Sequence, residues 1–316
     1  MRAYFIRVTK PGTDQVLRMY TSFTPSGATN GAALRVELDI PVSTYGNLAG
    51  NGRVKVYGVN FADIAAASDL NDADVTIYGG MAAGLPLANP RQAGILAKGK
   101  VWQCYGNRVG TETSLEMIII AKEGSATDPA NLSFNWTKGT TLEAAVRNVL
   151  GIAYPSATIT GGFSPSLVYT EDQPFAYQTL QQLGRFALAS SLAIIKTPGY
   201  LGAQIVATPA GFNLYDGTNQ PRAKQISYLD LIGNPTWLEP GVIQFMCVMR
   251  ADIIMGDIVS LPAGSNVINT AKNFRNTTAF SGDFQVSGLR HLGDSRQLSA
   301  ESWVTVIDAT APGSKP

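Results

Sequence analysis

Leu34-Arg35-Val36-Glu37-Leu38-Asp39-Ile40 alternates apolar and charged residues without a break. A period of two places successive side chains on opposite faces of an extended strand, so one face meets a core and the other meets water or a partner. Arg53-Val54-Lys55-Val56-Tyr57 repeats the pattern after a Gly-Asn turn at 50–52. This pair makes the surrounding chain legible as sheet.

Working outward, residues 1–125 read as β almost throughout. Tyr4–Val8 and Val16–Tyr20 flank the turn Pro11-Gly12, and Phe61–Ala67 reads as a short helix. Asp74–Met81 is a strand running into glycines. Ile95–Tyr105 and Thr113–Ala121 form a hairpin whose connection includes Gly106-Asn107 and Gly110. Leu85–Pro90 is excluded from helix, because each proline biases its predecessor to extended geometry. Short strands at this spacing point to a barrel or sandwich.

Residues 122–135, with Gly124, Ser125, Asp128, Pro129 and Asn131, read as a linker. The period then changes. Thr140 and Glu143 fit a capping box ahead of the stripe Leu142, Ala145, Val146, Val149 and Leu150, which ends near Gly151 and Pro155. A second helix is expected after Asp172, with Pro174 in its first turn and the stripe Ala176, Leu180, Leu183 and Ala187. Leu192–Lys196, Gln204–Thr208 and Phe212–Tyr215 read as strands. From Lys224 the chain returns to β: Val242–Met249, Asp257–Leu261, Gly282–Leu289 and Ser302–Asp308, with a polar loop at Thr270–Ser281. Leu231–Trp237 reads as the crossing into this part, with Trp237 as a buried anchor. The expected fold is mainly β, α+β overall: a β domain at 1–125, an α+β domain at 126–223, a second β domain at 224–310 and a disordered tail at 311–316.

At 316 residues the chain is long enough for two or three cores. Its 15% charged residues leave a surface of Ser, Thr, Asn and Gln, as expected where neighbours cover much of it. A net charge of +1 offers no basic footprint for nucleic acid. No segment approaches the roughly 20 apolar residues of a membrane span. MRAYFIRVTKPG lacks the apolar stretch of a signal peptide, so synthesis in a cytoplasm is expected.

The search for chemistry finds no parts. His291 is the only histidine; Asp294 and Ser295 lie beside it, but a relay is built in space rather than by adjacency, so a hydrogen-bonded turn residue is expected. Asp69, Asp72 and Asp74 lack the Gly and Glu of a calcium loop, and Gly79–Gly84 lacks the Lys-Ser/Thr ending of a phosphate loop. Cys104 and Cys247 sit in apolar runs and read as buried free thiols. Trp102, Trp136, Trp237 and Trp303 are scattered, away from basic clusters, and read as core or interface anchors. No catalytic, cofactor-binding or metal-binding residue is expected, and no enzyme activity.

Several segments resemble tail and baseplate hub proteins of tailed bacteriophages. They are Leu34–Ile40 with Arg53–Val59, Val75–Met81 with Leu85–Pro90, Gly94–Trp102, Thr137–Ala145, Ser227–Pro262, and Val286–Arg296 before Ser302–Thr305. The pattern is similar also to the hub segment of type VI secretion spike proteins. The resemblance implies two tube-like β-barrel domains around a small α+β domain, and a homotrimer whose pseudo-sixfold ring joins a hexameric tail tube to a trimeric spike. Implied partners are tail tube proteins or a tube initiator, the central spike, other baseplate components and transient, non-specific contact with DNA in the lumen. The implied location is the virion tail baseplate, assembled in the host bacterial cytoplasm and used in genome ejection. The rival reading is a receptor- or carbohydrate-binding tail-tip β protein using exposed aromatics such as Tyr45 or Trp136.

Overall fold

The computed structural model describes residues 2–42, 44–46, 51–82, 89, 91–121, 132–170, 173–218, 222–239, 241–262 and 282–311. The expected turn at 50–52, the linker, the Leu85–Pro90 segment, the Thr270–Ser281 loop and the tail lie wholly or partly outside them.

Strands come first, as the alternation requires. They are β1 (Arg2–Thr9), β2 (Val16–Thr21), β3 (Val36–Val42), β4 (Gly52–Tyr57), β5 (Asp74–Met81), β6 (Gly94–Val109) and β7 (Glu112–Ala121), with the short helix α1 (Phe61–Ala65) and a 3-10 turn before β5. The middle of the chain holds β8 (Leu132–Trp136), α2 (Leu142–Ala153), β9 (Thr158–Gly161), β10 (Gln173–Tyr177), α3 (Leu180–Ile194), β11 (Gln204–Thr208) and β12 (Gly211–Tyr215). The last part holds β13 (Lys224–Gln225), β14 (Leu231–Glu239), β15 (Val242–Val248), β16 (Ile258–Leu261), β17 (Gly282–Asp294) and β18 (Trp303–Thr310).

Several sequence expectations shift. The cap of α2 is Thr141, whose hydroxyl accepts from the Ala144 amide, while Glu143 pairs with Arg147 at 2.7 Å and accepts from the Phe163 amide. The reach-back expected there occurs at α3 instead: Thr179 caps Gln182, and the Gln182 side chain accepts from the Gln178 amide at 2.8 Å. Pro174 and Ala176 belong to β10 rather than a helix, because residues 173–177 pair with β8. Leu192 to Ile194 continue α3 instead of starting a strand. Leu231–Trp237 is not a crossing but part of β14.

Among the described residues, one thirteen-stranded sheet runs through both β parts of the chain. Its main path is β14-β15-β18-β17-β3-β4-β7-β6-β5-β1-β2, with β16 attached to β17 and β13 to β16. The link between the two parts is the antiparallel β17–β3 ladder, where His291 faces Ile40 and Asp294 faces Glu37. Three cores lie behind this frame. Met249 and Trp303 enter the first, Tyr45 enters the middle one, and Val206 and Tyr215 enter the last. Each part of the chain therefore lends side chains to a neighbour's core.

The two β parts share one plan. The order β3-β4-β7-β6-β5 in the first reappears as β14-β15-β18-β17-β16 in the second. The β6–β7 ladder shifts register between Val101 and Gln103, and the β17–β18 ladder shifts between Val286 and Gly288. At the bulge the same backbone clip appears twice. Val101 donates to Ala73 and accepts from Asp72; Val286 donates to Asp257 and accepts from Gly256. Asp72 (φ +62°) and Gly256 (φ +90°) both take the left-handed conformation this clip needs. Matching the bulges sets Tyr105 against Arg290, Gly106 against His291 and Val109 against Asp294.

Candidate functional site

The register places alternate residues of β3, β4, β7 and β17 on one outward face. Four cations, Arg35, Arg53, Lys55 and Arg290, sit there among four carboxylates, Glu37, Asp39, Glu116 and Asp294. Nearly every charge has a local partner. Arg290 holds Asp39 through two bonds of 2.7 and 2.6 Å; Arg53 lies 3.5 Å from Glu116; Arg35 bonds Asp294 at 2.9 Å and also pairs with Glu37. The Tyr57 hydroxyl donates to Glu37 at 2.7 Å, and Arg35 and Lys55 lie 4.5 and 4.8 Å from the centre of its ring. Arg35, Glu37, Asp39, Arg53, Lys55 and Asp294 border an open cleft of about 440 Å³ that reaches Gln297, Ser299, Glu301 and Ser302.

Burial alone would raise the Asp294 carboxyl, but amide donation from Arg296 and Gln297 and the Arg35 guanidinium outweigh it and hold it below its ordinary range. Burial, reinforced by Glu37, pushes the Tyr57 phenol up to about 12. The face is densely charged and locally neutral. It can present hydrogen-bonding groups to a polymer or a protein without a net field that grips phosphate.

No catalytic constellation forms from the candidates. His291 is buried in β17 rather than placed in a turn, with Nδ1 3.0 Å from Thr305 Oγ1, whereas Asp294 points to the opposite face and Ser295 Oγ accepts from the Val36 amide. Burial lowers the His291 imidazole to about 4. Asp74 accepts from the Gly12 amide, and among the described residues no group of three or more His, Cys, Asp or Glu could hold a metal. Gly79 and Gly80 serve close packing: a Cβ on Gly79 would meet Leu96 at 2.6 Å and one on Gly80 would meet Ala93 at 2.5 Å. Gly84 lies outside the described residues.

Cys104 and Cys247 are free and buried, their thiols pushed up to about 12 by burial. Among the aromatics, Trp303 and Trp136 are buried, Trp303 Nε1 donating to the Gly80 carbonyl at 2.8 Å and Trp136 Nε1 to the Thr140 carbonyl at 2.9 Å. Tyr45 is also buried, so neither Tyr45 nor Trp136 is the exposed contact that the rival reading needs. Trp102 and Trp237 are the exposed indoles, which overturns Trp237 as a buried anchor. Among the described residues no helix is long and apolar enough to cross a membrane.

No family model matches this sequence, and no curated protein matches it. Solved structures do. The chain is similar to the 43 kDa tail protein of prophage MuSo2 from Shewanella oneidensis (6% identity, TM-score 0.54, covering 99% of this chain and 97% of that one). It is similar to the tail protein from Neisseria meningitidis MC58 (11% identity, TM-score 0.50, covering 98% and 96%). A third is the E. coli c3393 protein, a component of the type VI secretion system with structural similarity to the T4 bacteriophage tail proteins gp27 and gp5 (10% identity, TM-score 0.51, covering 90% and 75%). The chain has the fold of phage tail proteins. The β-rich α+β class and the resemblance to this group expected above both hold.

Proposed function

We propose that this chain is a non-enzymatic structural hub of a phage-type tail. Three copies form a ring of six β units that joins a sixfold tail tube to a threefold central spike and surrounds the DNA channel. In this reading residues 1–125 and 224–310 are tube-like barrels, residues 126–223 are the α+β domain between them, and the protein sits in the tail baseplate of the virion beside tube, spike and other baseplate components. The observation that carries the reading is the internal duplication. One chain supplies two β units with the same strand order, bulge and clip, already joined side by side through β17–β3, which is how threefold assembly can meet a sixfold neighbour. The locally neutral charged face supports a wall that DNA passes without being held.

The test is the mass of the purified protein by light scattering, with three chains expected. Electron microscopy of tails should show the trimer capping tube rings. A monomer at every concentration across the micromolar range overturns the reading.

A further inference from the structure

The duplicated plan leaves one junction filled and its counterpart open. In the second β unit, β17 pairs with β16 through 282–285, and its remaining length, 289–294, pairs with β3 of the first unit. In the first unit, β6 pairs with β5 through 94–100. Asn71 then takes the Cys104 amide. Among the described residues, 105–109 have a strand partner on one side only, β7. Likewise β3 has partners on both sides, while its counterpart β14 ends the sheet path and, among the described residues, pairs only with β15. The two open edges carry exposed apolar side chains: Tyr105 and Val109 on β6, Trp237 and Leu238 on β14. Such edges are usually blunted or covered.

We propose that β6 of one copy pairs antiparallel with β14 of a second copy of this chain, repeating between copies the β17–β3 junction made within one. The proposal rests on the ring reading above and names its contact. The matched bulges carry the register as far as β15. The β3–β4 ladder is unbroken, whereas β14–β15 shifts between Ile232 and Thr236 and again between Trp237 and Glu239. Only Thr236 and Trp237, between the two shifts, therefore take the places of Asp39 and Ile40. Leu292 faces Asp39 and Arg290 faces Pro41 within the chain. The counterpart of the first pair sets Asn107 against Thr236 of the neighbour; the counterpart of Pro41 falls at the second shift in β14. The contact is head-to-tail, so copies add until the ring closes. Among the described residues β6 and β14 do not pair within one copy, and a bond formed in a mixture of the two single variants reports a neighbour.

The test is oxidative cross-linking of the Asn107→Cys/Thr236→Cys double variant, with light scattering on the same sample. Covalent oligomers are expected from the double variant and from a mixture of the two single variants, but not from either single variant alone. Arg108→Cys with Thr236→Cys, whose side chains lie on opposite faces, should give at least tenfold less. An oligomer by light scattering that does not cross-link overturns this contact and leaves the ring reading standing; a monomer overturns both. Cross-links from a single variant overturn the head-to-tail arrangement. Amide exchange on the unmodified protein gives an independent reading. Residues 105–109 and 236–239 should exchange at least tenfold more slowly in the oligomer than after dilution, and unchanged exchange overturns the pairing.

Discussion

In the first β unit Ile40 is 4% exposed; in the second, Trp237 at the matching position of β14 is 36% exposed. Both side chains lie on the core-facing side of an outer strand, and tryptophan has the larger apolar surface to hide. What differs is the neighbour. β17 lies along β3 and covers Ile40, whereas β14 has a strand on one side only among the described residues. The contrast shows that burial in an edge strand is decided by what pairs with the edge, and only secondarily by the residue. It also explains why Trp237, placed in the Leu231–Trp237 stretch, is not the buried anchor expected there, and Trp303 is the better choice.

The largest expected effect comes from moving that choice. Trp303 is 2% exposed, packs in the first unit's core from a strand of the second, and spends its indole N–H on the Gly80 carbonyl. Trp303→Ala should cost about 3–5 kcal/mol, while Trp237→Ala in dilute, unassembled protein should cost under about 1 kcal/mol. Urea denaturation of both variants decides it; equal losses would remove the contrast between covered and uncovered edges.

A second difference is chemical. His291 occupies the position that Gly106 holds in the first unit, where Ile64 fills the space a side chain would need. Burial brings the His291 imidazole from its ordinary 6.5 to about 4. The unfolded chain therefore binds a proton that the folded chain refuses between those values, and stability falls as pH drops from about 6.5 to about 4. Below that window the loss is complete, and the full difference is about 3 kcal/mol. Above it, the neutral ring costs nothing. Comparing urea midpoints at pH 7 and pH 4.5 for wild type and His291→Gln isolates this residue from the carboxylates, and the variant should lose less. Parallel losses would mean that the ring takes up its proton inside the fold.

Much of this architecture was legible because alternation survives wherever one face is buried. Leu34–Ile40, Arg53–Tyr57, Asp74–Met81 and the long hairpin all appear within a few residues of where the pattern put them. The middle region was harder. Thr140 and Thr141 are equally good caps by composition, and the Phe163 amide, distant in sequence, claims Glu143. Pro174 suits a helix start as well as a strand paired on one side, and the β8 partner that decides between them fell inside the presumed linker. The duplication was not visible at all. Aligned on their bulges, residues 101–109 and 286–294 share only the valine at the start, because a hydrogen-bond register constrains backbone and not side chains. The neutral face was half visible: alternation announced its charges, but the pairing of Arg290 with Asp39 needs the junction between units.

The smallest effects test the duplication where it is strictest. The clip at the bulge demands a left-handed residue, supplied by Gly256 in one unit and Asp72 in the other. At Gly256 a Cβ would also meet the Tyr215 ring at 2.5 Å, so Gly256→Ala combines strain with a clash and should cost about 1–3 kcal/mol. Asp72 already carries its side chain in that conformation, one that Asp and Asn tolerate better than most residues. Asp72→Gly relieves that strain but gives the unfolded chain more freedom, and the two nearly cancel. Its expected effect is within about 0.5 kcal/mol of zero, whereas Asp72→Val, β-branched in the same left-handed position, should lose more than 1 kcal/mol, on the order of a strained backbone. If valine is accepted at 72 as easily as glycine, the first unit does not need the left-handed clip, and the two halves share strand order without sharing its cause.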